Sequence, residues 1–246
     1  MTNTKTQIEY FHNHILLIPA YKTPDIHSHL ASHLIIAING NLKCVIENES
    51  IETKMICIAS DVSHTAYMDQ GQMVTFLIDE TSNYSKTLEK LYLKGSKYSI
   101  INDELMYRKI CDVWNNNKND LKKLDDEILK LCLLESSHKN IDPRAKEVLD
   151  ILEDIETIPN NIMDILSEKL NLSKSRVSHI FKENMGISIK RYLVLEKMKK
   201  CYEYFKTTGS ITNASINAGF YSSSHFATTC KKMFGISFSE LEKSKK

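Results

Sequence analysis

The spacing of apolar positions changes character once along the chain. Between Ile8 and Ile78 they come in short runs, Ile8 to Ala20, Leu34 to Ile38, Leu42 to Glu47, Ile51 to Ile58 and Met73 to Ile78, rich in Ile, Val, Leu and Tyr. Leu42, Cys44 and Ile46 alternate with Lys43 and Glu47, the period of a half-buried antiparallel strand. Asn39-Gly40 and Asn48-Glu49-Ser50 supply turn chemistry between runs. These features predict a small β-barrel or sandwich over residues 1–80.

From Asn83 the spacing becomes helical. Tyr84, Leu88, Leu91 and Tyr92 form one stripe; Leu105, Met106, Ile110, Val113 and Trp114 a second; Leu121, Leu124, Ile128, Leu131 and Cys132 a third. Asn115 to Asp120 separates the last two and lets them fold back as an antiparallel pair. Residues 81–135 are therefore expected to be helices that cover the β domain or pack two copies together. Residues 136–141, within the polar stretch Glu135 to Ile141, read as a linker. Asp142-Pro143 then places an N-cap before a proline at the first helical position, opening a helix with Val148, Leu149, Ile151, Leu152 and Ile155 inside.

The last hundred residues contain a repeat. Asn161 to Ile189 and Ser210 to Phe238 both read as helix, tight turn, helix, glycine stop. Ser173/Ser222, Ser175/Ser224, Val177/Phe226, Phe181/Cys230, Lys182/Lys231, Gly186/Gly235, Ile187/Ile236 and Ser188/Ser237 fall 49 residues apart, whereas the offset before the turn is 48. The difference arises because Asn171-Leu172 is one residue shorter than Gly219-Phe220-Tyr221. Asn171 can adopt the left-handed conformation that Gly219 supplies in the second copy. Between the copies, Ser188 to Thr207 predicts a helix of about 20 residues, roughly 30 Å long, with Tyr192, Leu195, Met198, the Lys199 stem, Tyr202 and Phe205 inward.

Charge sharpens this picture. The net charge is only +1, but residues 157–246 carry 15 Lys/Arg against 7 Asp/Glu, while residues 1–156 carry 17 against 24. A basic excess over the repeated helical units suits phosphate binding. The 42% apolar content can fill two cores. No apolar run reaches the length of a membrane span and the start lacks a signal-peptide pattern, so a cytoplasmic protein without membrane partners is expected. Six scattered cysteines show neither CxxC nor zinc-ligand spacing and read as reduced, packed thiols.

The patterns S-x-S-R-V-S-H-I-F-K-x-x-x-G-I-S and A-G-F-Y-S-S-S-H-F-x-x-x-x-K-K-x-F-G-I-S, joined by a long helix, resemble the double helix-turn-helix DNA-binding domain of AraC/XylS-type bacterial transcription regulators over roughly residues 142–242, which implies a DNA-binding domain spanning residues 142–246. Ser167 and Ser215 stand where that family usually has alanine, Ala214 where it has isoleucine, Cys230 phenylalanine, Glu196 arginine and Phe238 proline. His179 and Thr228 fill places that often hold arginine. The resemblance implies an α+β two-domain protein that is not an enzyme: a sequence-specific DNA-binding transcription factor, dimeric, acting on double-stranded promoter DNA and, if an activator, on RNA polymerase. Base contacts would fall to Ser175, Arg176, Ser178 and His179 in the first unit and Ser223, Ser224, His225 and Thr228 in the second. Ser173, Lys174, Lys182, Ser222, Lys231 and Lys232 would hold phosphates.

Six of nine histidines lie in the first 64 residues. His27, His29, His33, Gly40 and a later His64 resemble the cupin spacing H-x-H-x(3)-E-x(6)-G with a following histidine, His33 standing in for the carboxylate, so the N-terminal part is expected to be a cupin-like β-barrel. The four imidazoles have two readings: the lining of a small-molecule effector pocket, favoured because sensor domains of the regulator family commonly lack a metal, or a divalent-metal site. His12 and His14, alternating on the first strand, read as surface residues. Two alternative functions follow from the same features: a cupin metalloenzyme with a helical DNA-binding tail, or a ligand-independent architectural DNA-binding protein.

Overall fold

The computed structural model describes residues 6–19, 26–133 and 141–235, which divide into two compact units. The first takes in residues 6–80, 84–133 and 231–235, the second residues 81–83 and 141–230.

In the first unit the strands are β1 (Gln7–Tyr10), β2 (His14–Ile18), β3 (Ala31–Ile38), β4 (Leu42–Ile46), β5 (Glu49–Thr53), β6 (Met55–Ile58), β7 (His64–Tyr67), β8 (Gln72–Asp79) and β9 (Tyr98–Ile100). They form a six-stranded sheet of order β1-β2-β8-β3-β6-β9 and a three-stranded sheet of order β5-β4-β7, antiparallel throughout. The cupin-like barrel thus takes an open two-sheet form. Two of the expected runs are each divided. Ile8 to Ala20 folds back at Phe11–Asn13 into the β1–β2 hairpin, pairing Gln7 with Ile18. Ile51 to Ile58 breaks at Lys54, placing β5 in the small sheet and β6 in the large one.

Strand β3 shows why its sequence is apolar at nearly every position. Leu34, Ile36 and Ile38 enter a core shared with helices α2 (Glu104–Asn117) and α3 (Leu121–Leu133), while Ile35 and Ala37 enter a second core with Leu42, Cys44 and Ile46 of β4. The period of two therefore serves two cores, one on each face. Ile110, Trp114, Leu124, Ile128 and Cys132 are buried in the first of these, so the α2–α3 pair covers the large sheet. A short helix α1 (Asn83–Leu88), continuing as a wide π-type turn to Leu93, leads into β9. The linker expected at residues 136–141 lies, but for Ile141, outside the described residues.

His14 corrects an expectation. It lies on the helix-facing side of β2, 2% exposed, stacked on Phe11 with ring centroids 4.6 Å apart, and Nε2 is 2.6 Å from Asp125 Oδ1 of α3. Alternation alone could not show which face α3 would cover. His12, in the turn, is exposed as expected.

The remaining helices are α4 (Pro143–Asp154), α5 (Ile162–Lys169), α6 (Lys174–Met185), α7 (Ile189–Thr208), α8 (Ile211–Asn217) and α9 (Ser223–Phe234). Asp142 caps α4 by accepting from Arg144 N at 2.9 Å, with Pro143 in the first turn. No helix among the described residues is long and apolar enough to cross a membrane.

Candidate nucleic-acid interface

Helices α5 and α6 and helices α8 and α9 make two copies of one turn, and their backbone hydrogen bonds repeat. Leu172 N donates to Ser167 O at 3.0 Å, and Phe220 N to Ser215 O at 2.9 Å; Asn171 N donates to Glu168 O at 3.1 Å, and Gly219 N to Ile216 O at 2.9 Å. These pairs are 48 residues apart. Beyond the turn Ser173 accepts from Arg176 N at 3.2 Å and Ser222 from His225 N at 3.1 Å, 49 residues apart. The single-residue change of offset is the turn itself. Asn171 and Gly219 take it with φ of 51° and 90°.

The second turn is held from outside as well. Lys197 of α7 donates to Gly219 O at 2.8 Å. The hydroxyls of Ser167 and Ser215, where the resembled family usually has alanine, donate to Leu172 O and Thr212 O, so neither is left unpaired beneath its turn.

Helix α7 joins the two copies. Its 20 residues run from the N-cap Ser188, which accepts from Arg191 N at 3.4 Å, to a left-handed Gly209. That corresponds to about 30 Å of rigid rod. Tyr192, Leu195, Met198 and Phe205 are buried along it as expected, joined by Leu193 and Cys201; Lys199 and Tyr202 are half-buried. Glu196 is also buried, and loss of hydration pushes its carboxyl above the usual range although Lys199 and Lys200 partly oppose this.

Inward residues of the second helix of each copy are those the periodicity selects: Val177, Ile180 and Phe181 in α6, and Phe226, Cys230 and Phe234 in α9, all buried. Opposite them Ser175, Arg176 and His179 are exposed on α6, and Ser224, His225 and Thr228 on α9, with Ser178 and Ser223 half-buried. Ser173, Lys174, Lys182, Ser222, Lys231 and Lys232 are exposed too. Some of these groups are engaged within the chain. Ser178 donates to Lys174 O at 2.8 Å, His179 Nδ1 is 3.1 Å from Glu183, and Lys174 is ion-paired with Asp164. Arg176 is the exposed side chain able to make a bidentate contact with a base. Tyr221 was not foreseen: it is 79% exposed, with its ring 5.5 Å from that of His225. Its position immediately before the N-cap Ser222 was the available signal.

The expected histidines come together in the first unit. His27 and His64 form an isolated antiparallel bridge, with N···O distances of 3.0 and 2.9 Å, and Asp61 N donates to His29 O at 2.8 Å. His33 shares the inner face of β3 with Ile35. Ring centroids lie 4.8 Å apart for His27–His64, 4.6 Å for His29–His33 and 4.4 Å for His33–His64. Burial, reinforced by neighbouring imidazoles, depresses His29 to about 2 and holds His33 well below its ordinary value. Burial also lowers His64 to about 4, partly countered by its bond to Val62 O at 2.8 Å. His29 Nε2 and His33 Nδ1 are buried with no hydrogen-bond partner. An unpaired polar atom of this kind costs about 1–3 kcal/mol.

Residues 166–244 match a family model described as a helix-turn-helix domain. The chain is 29% identical over 107 residues to the arabinose operon regulatory protein of Escherichia coli K12, covering 43% of this chain and 37% of that protein. It is 30% identical over 118 residues to the Msm operon regulatory protein of Streptococcus mutans, covering 48% and 42%. The chain thus matches less than half the length of either relative. Among solved structures, ToxT from Vibrio cholerae O395 aligns over 98% of both chains at 16% identity, with a TM-score of 0.47. The repeated turn geometry and the match over residues 166–244 identify the C-terminal part of this chain as a helix-turn-helix domain, similar to the matching parts of the arabinose and Msm operon regulatory proteins.

Proposed function

We propose that the protein is a cytoplasmic transcription regulator in which residues 142–246 bind promoter DNA and the β-rich part, with its covering helices over residues 81–135, senses an effector or dimerises. One observation carries this reading: two helices with small polar, exposed outer faces are joined by one rigid 20-residue helix. Successive major grooves on one side of B-DNA recur at about 34 Å. A rod of about 30 Å lets both helices enter adjacent grooves from one chain.

In this reading Ser175, Arg176, Ser178 and His179, with Ser223, Ser224, His225 and Thr228, face base edges. Ser173, Lys174, Lys182, Ser222, Lys231 and Lys232 hold phosphates, and Tyr221 packs on the sugar–phosphate backbone beside them. Serine and threonine hydroxyls make tolerant single contacts, so sequence-dependent DNA shape carries part of the specificity. Effector binding or dimer contacts in the first unit shift the population of chains that present both helices to a promoter, and an activator of this design recruits RNA polymerase. Nothing in this assignment requires catalysis.

The test is selection of binding sites from a random DNA pool by the full chain. Two short conserved blocks about one helical turn apart are expected. Arg176→Ala combined with Thr228→Ala should abolish the selected preference while the circular dichroism spectrum is retained. Unchanged specificity in that variant overturns the residue assignment, and failure to enrich any sequence overturns the regulator reading.

A further inference from the structure

Two exposed histidines stand on the outer faces of the second helices, His179 on α6 and His225 on α9, and their surroundings differ. A neutral imidazole has one nitrogen that donates and one that accepts, so whatever meets Nδ1 decides what Nε2 can offer a base. Tyr221 N donates to His225 Nδ1 at 3.4 Å. A backbone amide can only donate, so the ring proton of His225 lies on Nε2. His179 Nδ1 lies instead 3.1 Å from Glu183 Oε2, one turn along the same helix. A lone pair turned to a carboxylate at that distance is repelled, so the ring proton of His179 lies on Nδ1 and Nε2 keeps its lone pair. Resting on the assignment of α6 and α9 to the major groove, we propose that the two rings read opposite groups: His225 Nε2–H donates to guanine N7, whereas His179 Nε2 accepts from the exocyclic amine of adenine or cytosine.

The repeat supports the assignment. His225 falls 49 residues after Arg176, and Thr228 falls 49 after His179. A guanidinium has donors only and pairs with guanine O6 and N7, so the equivalent place in both copies turns donors toward the groove. Serine and threonine hydroxyls both donate and accept. Among the proposed base contacts, His179 is thus the side chain that only accepts once its proton is placed. Adenine N6 and cytosine N4 are the donors that bases expose in the major groove. The orientation of the second ring is fixed by aromatic neighbours: Phe220 meets His225 edge-on, with centroids 5.6 Å apart and planes at 74°, and Tyr221 lies beside it at 5.5 Å and 37°. His225 N is bonded in turn to the cap Ser222 at 3.1 Å, so the turn that starts α9 also sets the tautomer.

Glu183 is then a positioning residue, acting through His179 rather than on a base. An exposed pair of this kind adds little to stability. The two tautomers of an imidazole differ little in energy, however, and a carboxylate 3.1 Å from Nδ1 is enough to choose between them. The charge of Glu183 also repels the phosphate backbone. Its two effects therefore have opposite signs: losing the carboxylate should strengthen binding as a whole and weaken the base preference at His179. A residue that merely stabilised α6 would not separate the two.

The experiment has two arms, both with the full chain at pH 8. Long-range proton–nitrogen correlation spectra of protein labelled with ¹⁵N-histidine, assigned with His179→Gln and His225→Gln, show which nitrogen of each ring is protonated without DNA. Nδ1 for His179 and Nε2 for His225 are expected, and the opposite placement at either ring overturns the proposal. In the second arm the site selected from a random DNA pool is rebuilt with base analogues, the variant protein serving as control for any change in the duplex itself. At the guanine whose preference His225→Ala loses, 7-deazaguanine, which lacks N7, should weaken binding of the parent by about 3- to 10-fold and leave His225→Ala unaffected. At the position that His179→Ala flattens, purine in place of adenine or 2-pyrimidinone in place of cytosine removes the amine and should weaken the parent by about as much, but not His179→Ala. Glu183→Ala should bind the selected site at least as tightly as the parent and tolerate that second analogue. An enriched site with no such coupling overturns this proposal and leaves the regulator reading intact, whereas failure to enrich any sequence overturns both.

Discussion

Gly219→Ala separates two costs that glycine substitutions usually mix. Gly219 has φ +90°, and a Cβ there would lie 2.4 Å from Ile158 O and 3.3 Å from the Lys197 side chain. The first neighbour is backbone and cannot rotate away, so chain must move by about 1 Å to restore ordinary contact. Gly209, at the end of α7, has φ +68° with nothing within 4 Å of its Cβ position. Gly209→Ala therefore bears only the left-handed penalty, about 1 kcal/mol, partly offset because alanine restricts the unfolded chain. Gly219→Ala adds the collision and should cost about 3 kcal/mol or more. For a unit near a hundred residues, each kcal/mol lowers Tm by about 4–8 °C.

Urea and thermal melts of the full chain, followed by far-UV circular dichroism, measure both variants. Trp114, the sole tryptophan of the chain, sits in α2 of the first unit and gives a fluorescence reference for that unit. Gly219→Ala should displace the helical transition far more than Gly209→Ala does and should weaken DNA binding in step. Equal midpoints for the two variants would refute the argument, because they share a conformation and differ only in what surrounds the new methyl group.

Two further outcomes follow from buried charge. His14→Ala leaves Asp125 buried without its 2.6 Å partner, so it should destabilise the first unit by about 3 kcal/mol; the double change to His14→Phe with Asp125→Leu should recover much of the lost Tm, and a double variant no better than His14→Ala would sink the reading. Glu196 has a folded-state pKa raised chiefly by desolvation, so the fold favours its protonated form, and its contribution to stability falls as pH rises from the unfolded toward the folded value. Glu196→Gln should therefore raise Tm at neutral pH, with the gain shrinking as pH falls from the raised folded value to the usual carboxylate value and levelling off below it; a gain independent of pH would show that packing rather than charge is responsible.

The helical half was legible because its determinants are local. Ser173, Ser188, Ser210 and Ser222 cap helices by bonding N–H groups three residues on, and Gly186 and Gly209 end them in the left-handed conformation. Such signals act within one or two turns of chain, so reading the residues in order recovers both the elements and the repeat. The outward faces of α6 and α9 follow from the same 3.6-residue period. Tyr221 escaped because a turn position has no periodicity to mark it as exposed.

The β half depended on partners far along the chain. The sequence by itself determined that strands were present, that β4 alternates, and that His27, His29, His33 and His64 belong to one spacing. Only the tertiary structure decided that Lys54 would divide one apolar run between two sheets, that α3 would cover His14 and bring Asp125 to it, and that the pairing of His27 with His64 would draw three imidazoles within 4.8 Å. The physical reason is that helix hydrogen bonds join residues four apart, whereas a strand's partner, the face it buries and the charge it meets are set by contacts whose sequence separation the local pattern does not encode.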